Sequence, residues 1–165
     1  MKKLFWLFLL AAPLFSLSQT THSDTIYSAN VKDKYVITIR KAAGSSTSNW
    51  HEKRSRDFIP ADITKNVATN FGKADKFYLF FKNELIPTIE RKMPNKKDRA
   101  FIVHSFGGLF CLYTLFKEDK LFDKHFAISP SCWANYYELN KIEEAYFKKN
   151  KQINANLTIY VGGLE

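Results

Sequence analysis

Residues 99–117 read Arg-Ala-Phe-Ile-Val-His-Ser-Phe-Gly-Gly-Leu-Phe-Cys-Leu-Tyr-Thr-Leu-Phe-Lys, and the fold is decided by how this stretch is read. Ala100 to Val103 is a short apolar run of strand character, while Leu109, Leu112, Tyr113 and Phe116 recur at helical spacing. Between the two lie His104-Ser105-Phe106-Gly107-Gly108. A serine on a sharp strand-to-helix turn has its hydroxyl raised above the sheet edge, where a carbonyl could be attacked. The start of the following helix supplies backbone N–H groups and partial positive charge where an oxyanion would develop. Ser105 is therefore the candidate nucleophile, and the backbone N–H of Phe106 the candidate oxyanion donor. The usual pattern is Gly-x-Ser-x-Gly, and Val103 stands at its first position. A β-branched side chain must find room there beside neighbouring backbone. The competing reading of Ser105 is a turn serine that caps the next helix.

Outward from this stretch, the chain alternates. Lys73 to Lys92 carries Phe77, Phe81, Leu85 and Ile89 every fourth residue, one face of a helix that Pro87 should kink or restart. Met93 to Lys97 is a basic turn. After the helix ending near Phe116 come a charged connection holding Leu121-Phe122 and a strand, His125 to Ser129, stopped by Pro130. An amphipathic helix from Leu139 to Lys149 and a last strand from Leu157 to Val161 follow. The order helix, strand, helix, strand, helix, strand predicts a parallel sheet covered by helices. Upstream, Lys34 to Arg40 has strand propensity, and residues 19–31 read as a polar, extended lead-in. Residues 42–49, Ala-Ala-Gly-Ser-Ser-Thr-Ser-Asn, have linker character, and the charged run from Trp50 to Pro60 reads as an irregular surface loop.

The N-terminus differs from all of this. Lys2 and Lys3 precede an apolar run from Leu4 to Leu17, and Ser16-Leu17-Ser18 offers small residues at the positions a signal peptidase reads. Residues 1–18 are thus expected to be a signal peptide, with 19–165 a single domain exported to the periplasm or beyond. The apolar run is somewhat short to span a bilayer, and no later stretch is long enough. The 165 residues carry a formal charge of +9, of which +7 would remain after cleavage. Such a surface attracts anionic molecules, but the basic residues are scattered among acidic ones and mark no nucleic-acid groove. Cys111 and Cys132, the two cysteines, permit a disulfide in an exported protein without establishing one. No His-x-x-x-His or Cys-x-x-Cys spacing points to a metal, and no glycine loop fits a nucleotide, so no cofactor is implied.

Several segments together resemble the Putative esterase family of α/β-hydrolases, which includes siderophore esterases and S-formylglutathione hydrolase. They are Arg54-Ser55-Arg56-Asp57-Phe58-Ile59-Pro60, Glu84 to Glu90, His104 to Phe110, Leu121-Phe122-Asp123, Ala127 to Trp133, and Tyr160 to Glu165. The resemblance implies an α/β fold, a partial α/β-hydrolase with a mostly parallel sheet flanked by helices. It also implies a serine esterase acting on a small-molecule carboxylic ester through an acyl-enzyme on Ser105. Trp133, Arg56 and Asp57 would line or shape the substrate pocket. Otherwise Trp133 is a buried core aromatic, and Arg56 and Asp57 a solvated ion pair.

Such a domain usually takes roughly 200–250 residues. Strands are expected to be missing between Ile39 and Asn49, where the family carries a second oxyanion donor, and at the C-terminus, where it carries the acid and histidine. The chain is therefore read as a truncated member. Of its histidines, His104 adjoins the serine, His125 begins a strand, His51 sits in the charged run and His22 lies near the expected cut. None follows the order serine, acid, histidine, so none is expected to be the base. Two readings stand: an exported serine esterase, or a catalytically inactive fragment or binding module on the same scaffold. A sheet short of strands should also aggregate readily.

Overall fold

Strand propensity at four β-type runs and helical spacing between them build a layered arrangement. The computed structural model describes residues 5–8, 21–28, 33–40, 50–61, 72–92 and 98–163. In chain order these form β1 (Phe5–Phe8), β2 (Thr21–Ser28), β3 (Asp33–Arg40), α1 (Trp50–Phe58) and α2 (Ala74–Phe80). A π-helical turn (Phe81–Leu85) leads into α3 (Ile86–Lys92), followed by β4 (Arg99–His104) and α4 (Phe106–Leu115). Then come β5 (Lys124–Ile128), α5 (Ala134–Phe147) and β6 (Leu157–Tyr160).

The main sheet runs β1-β4-β5-β6, with every neighbouring pair parallel. Val103 pairs with Ala127 and His104 with Ile128, while Ile128 pairs in turn with Tyr160. The α/β architecture expected from the alternation is thus what the described residues form. β1 falls inside the stretch read as a signal peptide, so cleavage after Ser18 would remove that strand with it. β2 and β3 make a separate antiparallel pair, Thr21 opposite Arg40 and Ser28 opposite Asp33. The strand expected at Lys34 to Arg40 is present. Within the polar lead-in expected to be extended, residues 21–28 are extended and pair as a strand, Thr21, Thr25 and Ile26 suiting a pleated strand once a partner is available. The linker at 42–49 and the basic turn at 93–97 lie outside the described residues.

Phenylalanine fills the core. Phe81, Phe101 and Phe110 have no exposed surface, and Phe58, Phe77, Phe80 and Phe122 join them in one cluster. Phe101 and Phe122 stack with ring centroids 4.4 Å apart, and Phe77 meets Phe81 edge to face at 5.0 Å. Every residue of α4 from Gly107 to Thr114 is buried, so the helix carrying the elbow is apolar on all sides. At Pro87 the expected kink takes a particular form. The proline ring would meet the carbonyl four residues back in a regular helix. The widened π turn precedes it instead, with Ile86 N–H bonded to the carbonyl of Phe81, five residues away. Phe77, Phe81 and Leu85 stay buried throughout, as their spacing predicted.

One expectation is corrected. Residues 50–58 are a helix, not a surface loop, and its C-terminal end is buried: Asp57, Phe58, Ile59 and Pro60 are all covered. The segment misleads because its charges, Glu52, Lys53, Arg54 and Arg56, outnumber its apolar residues. Burial of its end and a main-chain hydrogen bond from Lys73 N–H to Arg56 C=O hold it, without an apolar stripe. The regular part of α5 begins after Tyr137, beside the Leu139 at which the amphipathic helix was expected. Asn135, Tyr136 and Tyr137 all have positive φ, so a left-handed turn precedes the regular part.

Candidate active site

β4 delivers the chain to Ser105 at the C-terminal edge of a parallel sheet, where open α/β sheets place their ligands. There the backbone turns abruptly. Ser105 has φ 60° and ψ −123°, a conformation that costs a non-glycine residue of the order of 1–3 kcal/mol and persists only when its surroundings over-determine it. The surroundings are visible. Ser105 N–H donates to Ile128 C=O at 2.9 Å, tying the turn to β5, and Leu109 N–H donates to Ser105 C=O at 3.0 Å to begin α4. Ser131 N–H also donates to Ser105 C=O, at 3.2 Å.

The two glycines after the serine are fixed by close approach. A Cβ on Gly107 would lie 3.1 Å from the Cβ of Val103. Val103, the residue that breaks the Gly-x-Ser-x-Gly pattern, thus finds its room over Gly107, and it is buried there. A Cβ on Gly108 would lie 3.0 Å from Pro130 Cα and 3.2 Å from Ile128 O. These contacts let the loop after β5 press against the start of α4.

The Ser105 side chain makes no capping hydrogen bond to α4. It meets instead the hydroxyl of Ser131, with the two Oγ atoms 3.2 Å apart. The reading of Ser105 as a simple helix cap does not describe this geometry. The N–H of Phe106 belongs to the first turn of α4, ahead of the first helical hydrogen bond, and so has no intrahelical partner. It lies at the positive end of a ten-residue helix, as an oxyanion donor must.

Around the turn, the Phe106 ring lies 5.8 Å from the Trp133 ring on one side and 5.8 Å from the Arg54 guanidinium on another. Trp133 is 61% exposed, so it is a surface aromatic beside Phe106 and not a core residue. Burial lowers the pKa of Arg54 from its ordinary value. Arg56 and Asp57 do meet, Nε to Oδ1 at 2.6 Å and Nη2 to Oδ2 at 2.9 Å, in a two-point pair. With the Asp57 side chain 4% exposed this is a buried pair, where a solvated one was the alternative. Nearby, Asn135 Nδ2 donates to Pro60 C=O at 2.9 Å, joining the left-handed turn before α5 to the segment that follows α1.

The histidines are placed apart from the serine. His104 ends β4 with its side chain exposed. His125 pairs with Phe101, four residues before Ser105, and a strand advances about 3.3 Å per residue, which sets it on the order of 13 Å down the sheet. It is buried, and desolvation lowers its pKa to about 4. His51 lies in α1 and His22 in β2, opposite Ile39. Among the residues whose side chains are described, no histidine is hydrogen-bonded to Ser105. Cys111 and Cys132 are both free thiols, and burial pushes Cys111 up to about 12. Among the described residues no cluster of histidine, cysteine and carboxylate side chains could hold a metal, and no helix is long and apolar enough to cross a membrane.

Ser131 and Arg54 are the neighbours of the turn that sequence reasoning did not single out. The signal for Ser131 was available. In a parallel sheet the loop after β5 emerges beside the loop after β4, so Ser129-Pro130-Ser131 had to end near Ser105.

Comparison with known proteins shows the family. The Esterase family model, described as Putative esterase, matches residues 14–162. The chain belongs to that family. It is 33% identical over 87 residues to the siderophore triacetylfusarinine C esterase of Aspergillus fumigatus, covering 52% of this chain and 30% of that protein. It is 36% identical over 98 residues to the ferri-bacillibactin esterase BesA of Bacillus subtilis, covering 57% of this chain and 34% of that one. The chain thus spans about a third of the length of these curated relatives. Among solved structures, the siderophore hydrolase EstB from Aspergillus nidulans superposes with a TM-score of 0.74 at 18% identity, over 92% of this chain and 71% of that one. The fold is that of the α/β-hydrolases.

Proposed function

We propose that this chain carries the nucleophile half of an exported serine esterase that cleaves carboxylic esters of siderophores or similar small molecules. The carrying observation is Ser105 itself, held at φ 60° between a parallel strand and a buried helix in a member of an esterase family. In this reading Ser105 Oγ adds to the ester carbonyl and its proton passes to a general base. The carbonyl oxygen takes the developing charge against the N–H of Phe106. Collapse expels the alcohol and leaves an acyl group on Ser105, which water then removes.

Trp133 and Phe106 form the aromatic wall of the pocket, and the buried Arg56–Asp57 pair stiffens the end of α1, whose Arg54 lies over the Phe106 ring. The substrate class is supported by two relatives, named as esterases of triacetylfusarinine C and of ferri-bacillibactin. A net positive charge favours an anionic ester. Export is supported by Lys2, Lys3, the apolar run after them and Ser16-Leu17-Ser18. Purified chain incubated with a short-chain chromogenic ester, and separately with ferri-bacillibactin, tests the activity. Turnover that vanishes in Ser105→Ala supports it, and turnover that survives this change contradicts it.

A second reading is favoured by one observation: among the residues whose side chains are described, no histidine meets Ser105. Loss of a triad member lowers rates by several powers of ten, with about 10³–10⁴-fold over water left to the oxyanion hole and binding. A scaffold that binds the ester without cleaving it would show saturable binding with no difference in turnover between parent and Ser105→Ala.

A further inference from the structure

The loop after β5 is built to bring one hydroxyl onto the nucleophile, and the reading of Ser105 as nucleophile gives that contact a purpose. Ser129 has φ 41°, which bends the chain back at the end of the strand. Its N–H donates to Tyr160 C=O at 2.7 Å, so the bend is anchored to β6. Pro130 then packs against the backbone of Gly108, where no side chain intervenes. Ser131 follows, 7% exposed, with its N–H on Ser105 C=O and its Oγ 3.2 Å from Ser105 Oγ. Among the described residues Ser105 Oγ is the partner of that buried hydroxyl. A buried hydroxyl left without a partner would cost about 1–3 kcal/mol, so the two serines are tied to one another's orientation.

We infer that Ser131 is a positioning residue for Ser105. Either hydroxyl of the pair can donate; in this role Ser131 is the donor to Ser105 Oγ, and the contact selects the rotamer that faces the substrate side of the turn. The proton of Ser105 is left pointing outward, where a base can take it. Ser131 transfers no proton and forms no bond to substrate. The separation is long for a hydroxyl pair, as is common before substrate arrives, and such contacts tighten in the reacting complex. This inference rests on the proposed role of Ser105.

The test is the rate at which a fluorophosphonate labels Ser105 in the full chain, where the Oγ–P bond forms, the P–F bond breaks, and fluoride and the serine proton leave to solvent. Parent, Ser131→Ala, Ser131→Thr, Ser131→Cys and Ser105→Ala are compared, with thermal melts to show that each is folded. Ser131→Ala should label about five- to tenfold more slowly, the loss confined to the maximal rate with the probe's half-saturation unchanged. Ser131→Thr, which keeps the hydroxyl, should recover to within about twofold of the parent, and Ser131→Cys, a weak donor, should fall between. Equal rates for parent and Ser131→Ala overturn the inference alone. So does a folded Ser131→Thr or Ser131→Cys no faster than a folded Ser131→Ala. A parent that never labels, or a Ser105→Ala that does, overturns the role of Ser105 and this inference with it.

Discussion

β4 and β6 belong to one parallel sheet and both carry mainly apolar, strand-forming residues, Ala-Phe-Ile-Val in one and Leu-Thr-Ile-Tyr in the other. Ala100 and Phe101 have no exposed surface and Val103 is 3% exposed, while Ile159 and Tyr160 are 48% and 55% exposed. The difference lies in what covers them. Phe110 of α4 and the aromatic helices around residues 77–81 close over β4, whereas the end of β6 presents its apolar side chains to solvent. Burial here is a property of position in the sheet, and strand composition does not report it. The strained turn at Ser105 grows from the covered side, where neighbouring structure can hold an unfavourable φ in place.

If that contrast is right, substitutions should grade by which side they strike. Phe110→Ala, at the centre of the cluster, should cost about 3–5 kcal/mol and is checked by urea unfolding. Next comes a pH effect at β5, which lies between the two sides. His125 is 6% exposed, its Nδ1 has no hydrogen-bond partner among the described residues, and burial lowers its pKa from 6.5 to about 4. The unfolded chain therefore takes up the proton more readily than the folded one. Stability from this residue is complete above pH 6.5 and is lost as pH falls towards 4, by an amount of the order of 3 kcal/mol. Unfolding curves at pH 7 and 4.5 should separate in the parent and draw together in a folded His125→Phe variant.

Smaller effects sharpen the local geometry. Gly108→Ala, whose Cβ would meet Pro130 at 3.0 Å, should cost about 1–3 kcal/mol. Gly107→Ala should cost a similar amount in the parent and less in a Val103→Gly background, because Val103 Cβ is the atom in its way. At the exposed end of the sheet, Ile159→Ser should change stability by no more than about 0.5 kcal/mol while raising soluble yield. A large loss there would mean that the edge is covered in solution, and the contrast between the strands would fail.

The covered side was also the side that could be read in advance. Residues 99–117 are contiguous, and a strand, a serine turn and an all-apolar helix each leave a local signature. Phe77, Phe81 and Leu85 likewise announced their helix by spacing, though the π turn ahead of Pro87 is a detail that spacing does not carry. What stayed hidden depends on distant partners. α1 has few apolar residues, and its burial of Asp57 and Phe58 comes from contacts with segments far along the chain. β2 is polar and becomes a strand only opposite β3. The left-handed run at Asn135, Tyr136 and Tyr137 has no signal in two tyrosines, which disfavour positive φ. The Ser105–Ser131 contact joins residues 26 positions apart and needed the parallel register to be found.

The central claim is that Ser105 is a raised, reactive hydroxyl and not a packed turn residue. Its most direct test is mass spectrometry of the purified chain after exposure to a fluorophosphonate, with the adduct mapped by peptide sequencing. A single adduct on Ser105, absent from the Ser105→Ala variant, is the predicted result. A folded chain that remains unmodified, or carries its adduct on another residue, would contradict the account.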